Sequence, residues 1–199
     1  MTGRSLSDLT TFEDYCWNDV TPAELLAIYA PYRRERRIPD LPALLLLHKA
    51  PDIALGVQAD WTTPAGRLLA EARAVRMPVI HSLPARGQVD SGLAPGKDEL
   101  VIGRIYDSAF MATDLAASLV RMGRRGLVLC GATTSGAVRA TAVECKAFAF
   151  KAAIAQEATG DEASLLHRLA LFDIAHKYAD VMSLSEMLGL MRGGAETGN

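Results

Sequence analysis

The sequence predicts an α/β domain of three layers, α/β/α, around a six-stranded, mostly parallel sheet. Three observations point there. Short apolar runs recur along the chain, and stretches with helical periodicity alternate with them. The runs are apolar on consecutive residues, as strands covered on both faces must be. Gly131-Ala132-Thr133-Thr134-Ser135-Gly136, small and hydroxyl-rich, joins one run to a helix-like segment in a sharp turn. Strands alternating with helices give a parallel sheet with helices on both faces, and the site of such a fold lies beyond the carboxyl ends of its strands.

The elements follow in order. Residues 1–41 read as an N-terminal arm. In it Thr21-Pro22 marks a helix start, the helix runs to about Arg36, and Leu25, Leu26, Ile28, Tyr29 and Tyr32 recur at helical spacing. Arg33, Arg34, Arg36 and Arg37 read as a solvated helix end whose cations complement the helix dipole. Pro39 and Pro42 end the arm, and the α/β domain is expected over residues 42–191. Ala43 to Leu47, stopped by His48, is the first strand. Residues 63–76 form a helix with Leu68, Leu69, Ala72 and Val75 on one face. Pro78 to His81 is the second strand. Residues 84–99, rich in Gly and Pro, form a long loop able to line a site. Leu100 to Ile102 is the third strand and Thr113 to Met122 a helix. Leu127 to Cys130 is the fourth strand, followed by a helix over about 136–149. Ala152 to Gln156 is the fifth strand, Asp161 to Lys177 a helix, and Asp180 to Ser183 the sixth strand. Ser183 or Ser185 caps a last helix to Met191, and residues 192–199 read as a disordered tail.

Composition sets limits on function. With 21 basic and 23 acidic residues the net charge is −2, which gives no reason to expect a nucleic-acid or anionic-membrane partner. No apolar run approaches the roughly 20 residues that span a bilayer, and the N-terminus lacks the basic-then-apolar order of a signal peptide. A cytoplasmic location is expected. Cys16, Cys130 and Cys145 have unrelated spacings and read as reduced thiols, the latter two as core residues.

Three places that follow strand ends can meet in one pocket: His48, the 103–110 segment and the 131–137 turn. The turn leaves backbone N–H groups free at a helix start, an attractive place for negative charge. Thr134 or Ser135 is a candidate N-cap. Ala137 is the residue most exposed to that field.

GATTSGAVRATAVEC, residues 131–145, resembles the isochorismatase-like cysteine hydrolases, most closely the N-carbamoylsarcosine amidase and maleamate amidase branch. The resemblance runs over roughly residues 42–191 and implies an isochorismatase-like, Rossmann-like fold. It also implies a cis peptide between Ala132 and Thr133. In that family the turn carries a nucleophilic Cys, and Ala137 stands there. The family's catalytic Asp, opening a motif like DxQxDF, is matched by His48, with its second Asp at Asp52. Its Lys, before a pattern like KxYxSAF, is matched by Arg104, with Tyr106 and Phe110 following. A GDR pattern that holds a substrate carboxylate is matched by Gly160-Asp161-Glu162, a reversal of charge at Glu162. Ligand contacts are therefore expected at Asp52, Tyr106, Phe110, Ala132, Thr133, Thr134 and Glu162.

An Ala side chain can neither attack a carbonyl nor carry an acyl group, so the chain is not expected to be a Cys-dependent amidase. Two readings stay open. One is a non-hydrolytic pseudoenzyme that binds a small molecule or serves as the structural partner of an active relative. The other is a divergent hydrolase or lyase in which His48 and Arg104 run Cys-independent acid/base chemistry on a small anionic or amide substrate. The resemblance implies a homo-oligomer, dimer or tetramer, or a hetero-oligomer with a paralogue. No cofactor is called for. His48, Asp52 and His81 are candidates for the zinc set of related nicotinamidases, but their spacing does not reproduce it, and no metal is expected.

Overall fold

Each apolar run becomes a strand of one parallel sheet. The computed structural model describes residues 15–30, 36–51, 54–55, 60–87, 89 and 91–196. The strands are β1 (Pro42–Leu47), β2 (Val79–Pro84), β3 (Leu100–Arg104), β4 (Gly126–Ala132), β5 (Lys151–Gly160) and β6 (Asp180–Met182). Their order is β3-β2-β1-β4-β5-β6, with every pairing parallel. The chain thus winds outward from β1 in one direction and from β4 in the other. The topological switch falls between β1 and β4, where such sheets leave a crevice at their carboxyl edge.

Side-chain alternation divides the core. Leu45, Leu47, Leu127 and Leu129 face one layer with α3 (Leu115–Arg121), α4 (Arg139–Ala147) and α5 (Ser164–Lys177). Leu44, Leu46, Val128 and Cys130 face the other, with α2 (Thr62–Ala74) and α6 (Leu184–Glu196). Leu44 to Leu47 are all fully buried, which is why the run is apolar at every position.

The structure departs from the expected boundaries in several places. Helix α1 is described over Ala23–Tyr29, and residues 31–35 lie outside the described residues. Pro22 stands at the cap, and the Thr21 hydroxyl donates back to the Trp17 carbonyl instead. Arg36 itself lies outside any described helix. It pairs with Glu186 of α6 at 3.2 Å. In the described part of the stretch before β1, Trp17 is fully buried in the core and meets Phe172 of α5 edge-on. Strands β4 and β5 extend beyond the expected ends, and α6 continues past Met191 to Glu196, so residues 192–196 are helical rather than tail. Residues 1–14, Arg33, Arg34, Asp52 and residues 197–199 lie outside the described residues.

Candidate functional site

The carboxyl ends of β1 and β4 meet where Leu47 pairs with Gly131. Gly131 has φ +127°, and a Cβ there would overlap the Leu47 carbonyl oxygen. Only glycine lets the two backbones approach this closely. Beyond it the peptide between Ala132 and Thr133 is cis, as the resemblance implies. Thr134–Val138 then forms a single π-helical turn, closed by the Val138 N–H on the Thr133 carbonyl, before α4 begins. Ala137 is buried in that turn.

His48 stands directly after β1 and is fully buried. Its Nε2 lies 2.9 Å from Nδ1 of His81, a β2 residue that the parallel register places opposite Leu46. The rings are inclined by 21° with centroids 5.2 Å apart, so the nitrogens meet close to the ring planes. His81 Nε2 lies 2.9 Å from Oε2 of Glu99. Glu99 also accepts from Arg73 Nε at 2.7 Å and from the Gly96 N–H at 2.6 Å. With these donors, the bond from Arg73 foremost, its carboxyl is held down at about 2. Burial lowers the His81 pKa. Burial, followed by the neighbouring His81 and Arg104, brings His48 down to about 4. Both imidazoles are neutral at physiological pH, so His48 is a potential proton acceptor and not an acid there.

Arg104 closes β3 and is buried. Its Nη1 donates to the Ser82 carbonyl and its Nη2 to the His48 carbonyl, both at 2.6 Å. The guanidinium thus stitches the ends of β1 and β2 together, and desolvation lowers its pKa to about 10. These two carbonyls engage both of its Nη groups. The 103–110 segment is fixed to α4 by the Ser108 hydroxyl on Glu144 at 2.7 Å and the Ala109 N–H on Thr141 at 3.1 Å. That leaves Asp107 exposed, attracting Arg104 and lying beside Gly136 of the turn.

The amide field at the turn is met by the chain itself. Gly160 pairs with Ala132, so Asp161 emerges opposite Thr133. Its buried carboxylate accepts the Ser135 N–H at 2.6 Å. Neither Thr134 nor Ser135 is the cap; Thr133 holds that position without a side-chain bond. Thr134 Oγ1 instead lies 2.8 Å from Nδ1 of the buried His167 of α5.

The structure therefore brings together His48, Arg104, Ala132, Thr133, Thr134 and Ala137 at one edge. Phe110 is buried in the same core cluster as Ala137 and stacks on Phe148 with centroids 5.3 Å apart. Tyr106 and Glu162 are exposed, and Glu162 contributes only its N–H, to Asp161. Asp52 lies outside the described residues. Sequence reasoning missed Glu99, Asp107, Asp161 and His167, and weighed His81 only as a metal ligand. A Gly-Asp pair ending a strand and a second His ending the neighbouring strand were the available signals. Burial pushes all three thiols up to about 12, so Cys16, Cys130 and Cys145 stay protonated and poorly nucleophilic. Among the described residues, no group of three or more His, Cys, Asp or Glu side chains is arranged to hold a metal, and no helix is long and apolar enough to cross a membrane. A shallow cavity of about 240 Å³, lined by Asp40, Arg124, Arg125 and Lys151, opens at the opposite edge of the sheet.

Known proteins resemble this chain in sequence and in fold. The chain is 39% identical to the maleamate amidohydrolase of Pseudomonas putida over 100 residues, 50% of this chain and 47% of that protein. It is 34% identical to the N-carbamoylsarcosine amidase of an Arthrobacter species over 111 residues, 54% of this chain and 42% of that one. The chain thus matches less than half the length of either relative. A cysteine hydrolase structure from Pseudomonas syringae pv. phaseolicola superposes with a TM-score of 0.74 at 18% identity, covering 81% of this chain and 99% of that one, and so shares the fold. The isochorismatase domain itself matches residues 55–186. The chain belongs to the isochorismatase domain family.

Proposed function

We propose that this protein is a non-hydrolytic member of the family that binds a small molecule at the β1/β4 crevice. One observation carries the reading: Ala137 occupies the turn position where the related amidases carry a nucleophilic Cys, and no other thiol is available in its place. Cys130 and Cys145 are fully buried, and all three cysteines hold their protons. Acyl transfer needs an attacking atom and a place for the acyl group, and an Ala side chain supplies neither. The crevice meanwhile keeps its ordered turn and a buried His48, which favours ligand binding over a purely structural relic. The stripe of exposed Leu165, Leu166 and Leu169 on α5 favours assembly, with copies of itself or with a paralogue.

A second reading, Cys-independent acid/base chemistry, has one observation in its favour. Nδ1 of His48 is buried without a partner among the described residues, and His48 is neutral, as a base must be.

The test is ammonia release from maleamate and N-carbamoylsarcosine by purified protein. We expect no release above buffer. Hydrolysis that persists in His48→Leu would defeat both readings, and hydrolysis lost in His48→Leu would favour the second.

A further inference from the structure

Every polar atom of His48 has a partner but one. Its N–H donates to the Ser82 carbonyl at 3.0 Å, and its carbonyl accepts from Arg104. Its Nε2 meets His81 at 2.9 Å. Nδ1 is buried and has none among the described residues. The hydrogen-bond chain fixes what that atom offers. The ionised Glu99 can only accept, so His81 Nε2 carries the hydrogen. His81, being neutral, is then bare at Nδ1 and accepts from His48 Nε2–H. His48, being neutral, is left with a lone pair at Nδ1. Bonds from Arg73 and Gly96 keep Glu99 ionised and in place.

We propose that Nδ1 of His48 is the acceptor that selects the ligand, and that the ligand class is a small molecule presenting an N–H or O–H donor there, such as a primary amide or an alcohol. An ionised carboxylate is disfavoured at this atom because it would set lone pair against lone pair. His81 and Glu99 are positioning residues that hold the tautomer. The proposal rests on the small-molecule-binding reading above and adds the chemistry of recognition to it. A buried acceptor left unmade is costly, so a ligand that supplies the hydrogen gains over one of the same shape that cannot.

The test uses the full chain labelled with ¹⁵N-histidine, read by long-range ¹H–¹⁵N NMR at neutral pH. His48 is expected to carry hydrogen on Nε2 alone; hydrogen on Nδ1 would overturn the proposal. Acetamide, N,N-dimethylacetamide and acetate are then titrated as probes. Acetamide should shift the Nδ1 resonance with an affinity about tenfold or more above that of dimethylacetamide, the difference one unmade hydrogen bond implies, and acetate should leave it unmoved. Equal responses to acetamide and dimethylacetamide, a response to acetate as strong, or no response to any probe would each overturn it. In Glu99→Leu, checked as folded by its melting transition, the His48 tautomer should become mixed and the acetamide response fall. An unchanged tautomer there would remove His81 and Glu99 from the mechanism. Should that variant not fold, the tautomer and probe results on the unaltered chain still decide. Ammonia release from maleamate would defeat the non-hydrolytic reading without touching the tautomer, so the two failures are distinguishable.

Discussion

Gly131→Ala is expected to lower the unfolding free energy by more than about 3 kcal/mol, through backbone strain and steric overlap together. At φ +127° an L-residue is strained whatever the space around it. Here the space is also absent, because the added Cβ would overlap the Leu47 carbonyl oxygen. That oxygen cannot give way cheaply: Leu47 is held between β2, opposite Ser82, and β4, opposite Gly131. Relief requires parting β1 from β4 at the switch point, which also disturbs His48 one residue on. Gly103→Ala is the control. It lies in β3 with no atom within 4 Å of a new Cβ, and should change stability by less than about 1 kcal/mol. Urea denaturation of the two variants checks both. A Gly131→Ala protein as stable as Gly103→Ala would mean that the two strands do not close as described.

The second large effect is a pH dependence. His48 is held at about 4 in the folded protein against 6.5 when unfolded. Between these values the unfolded chain binds a proton that the folded chain refuses. Stability from this group is therefore complete above about pH 6.5 and is lost as pH falls towards 4. A displacement of this size is worth on the order of 3 kcal/mol. His81, His167 and His176 are lowered too, each mainly by burial, and steepen the same limb. Glu99, held at about 2, loses its contribution only below about pH 4.5 and so acts later. Denaturation curves from pH 7 to pH 4 should show the loss, and His48→Leu should show a limb shallower by His48's share. An identical slope in His48→Leu would mean that His48 is not the depressed group.

The sheet was legible because burial on both faces writes itself as consecutive apolar residues: Ala43 to Leu47 and Leu127 to Cys130 admit little else once helices alternate with them. The turn was legible because Gly131 and Gly136 each have a neighbour where a Cβ would go, the Leu47 backbone and the Thr133 hydroxyl. What stayed hidden was partnership across the sheet. His48, His81 and Glu99 are separated by 33 and 18 residues and meet only through the β1–β2 register and the loop before β3. Arg104 was recognisable as a buried or surface cation in the same letters, and only the fold turns its fork onto two carbonyls. Phe110 follows the site segment in sequence, but the bonds of Ser108 and Ala109 to α4 swing it into the core. Asp161 was read as a helix start because Asp favours caps, whereas the pairing of Gly160 with Ala132 carries it to the Ser135 amide.

The central claim is a crevice that binds but does not hydrolyse, and one time-resolved measurement addresses both halves. Maleamate and N-carbamoylsarcosine are each mixed with the protein and followed by ligand-observed ¹H NMR through a long incubation. The account predicts saturable broadening of the resonances of at least one of them, with the ligand intact and no product signals at the end. Steady conversion of either ligand into product, at a rate proportional to protein concentration, would contradict it.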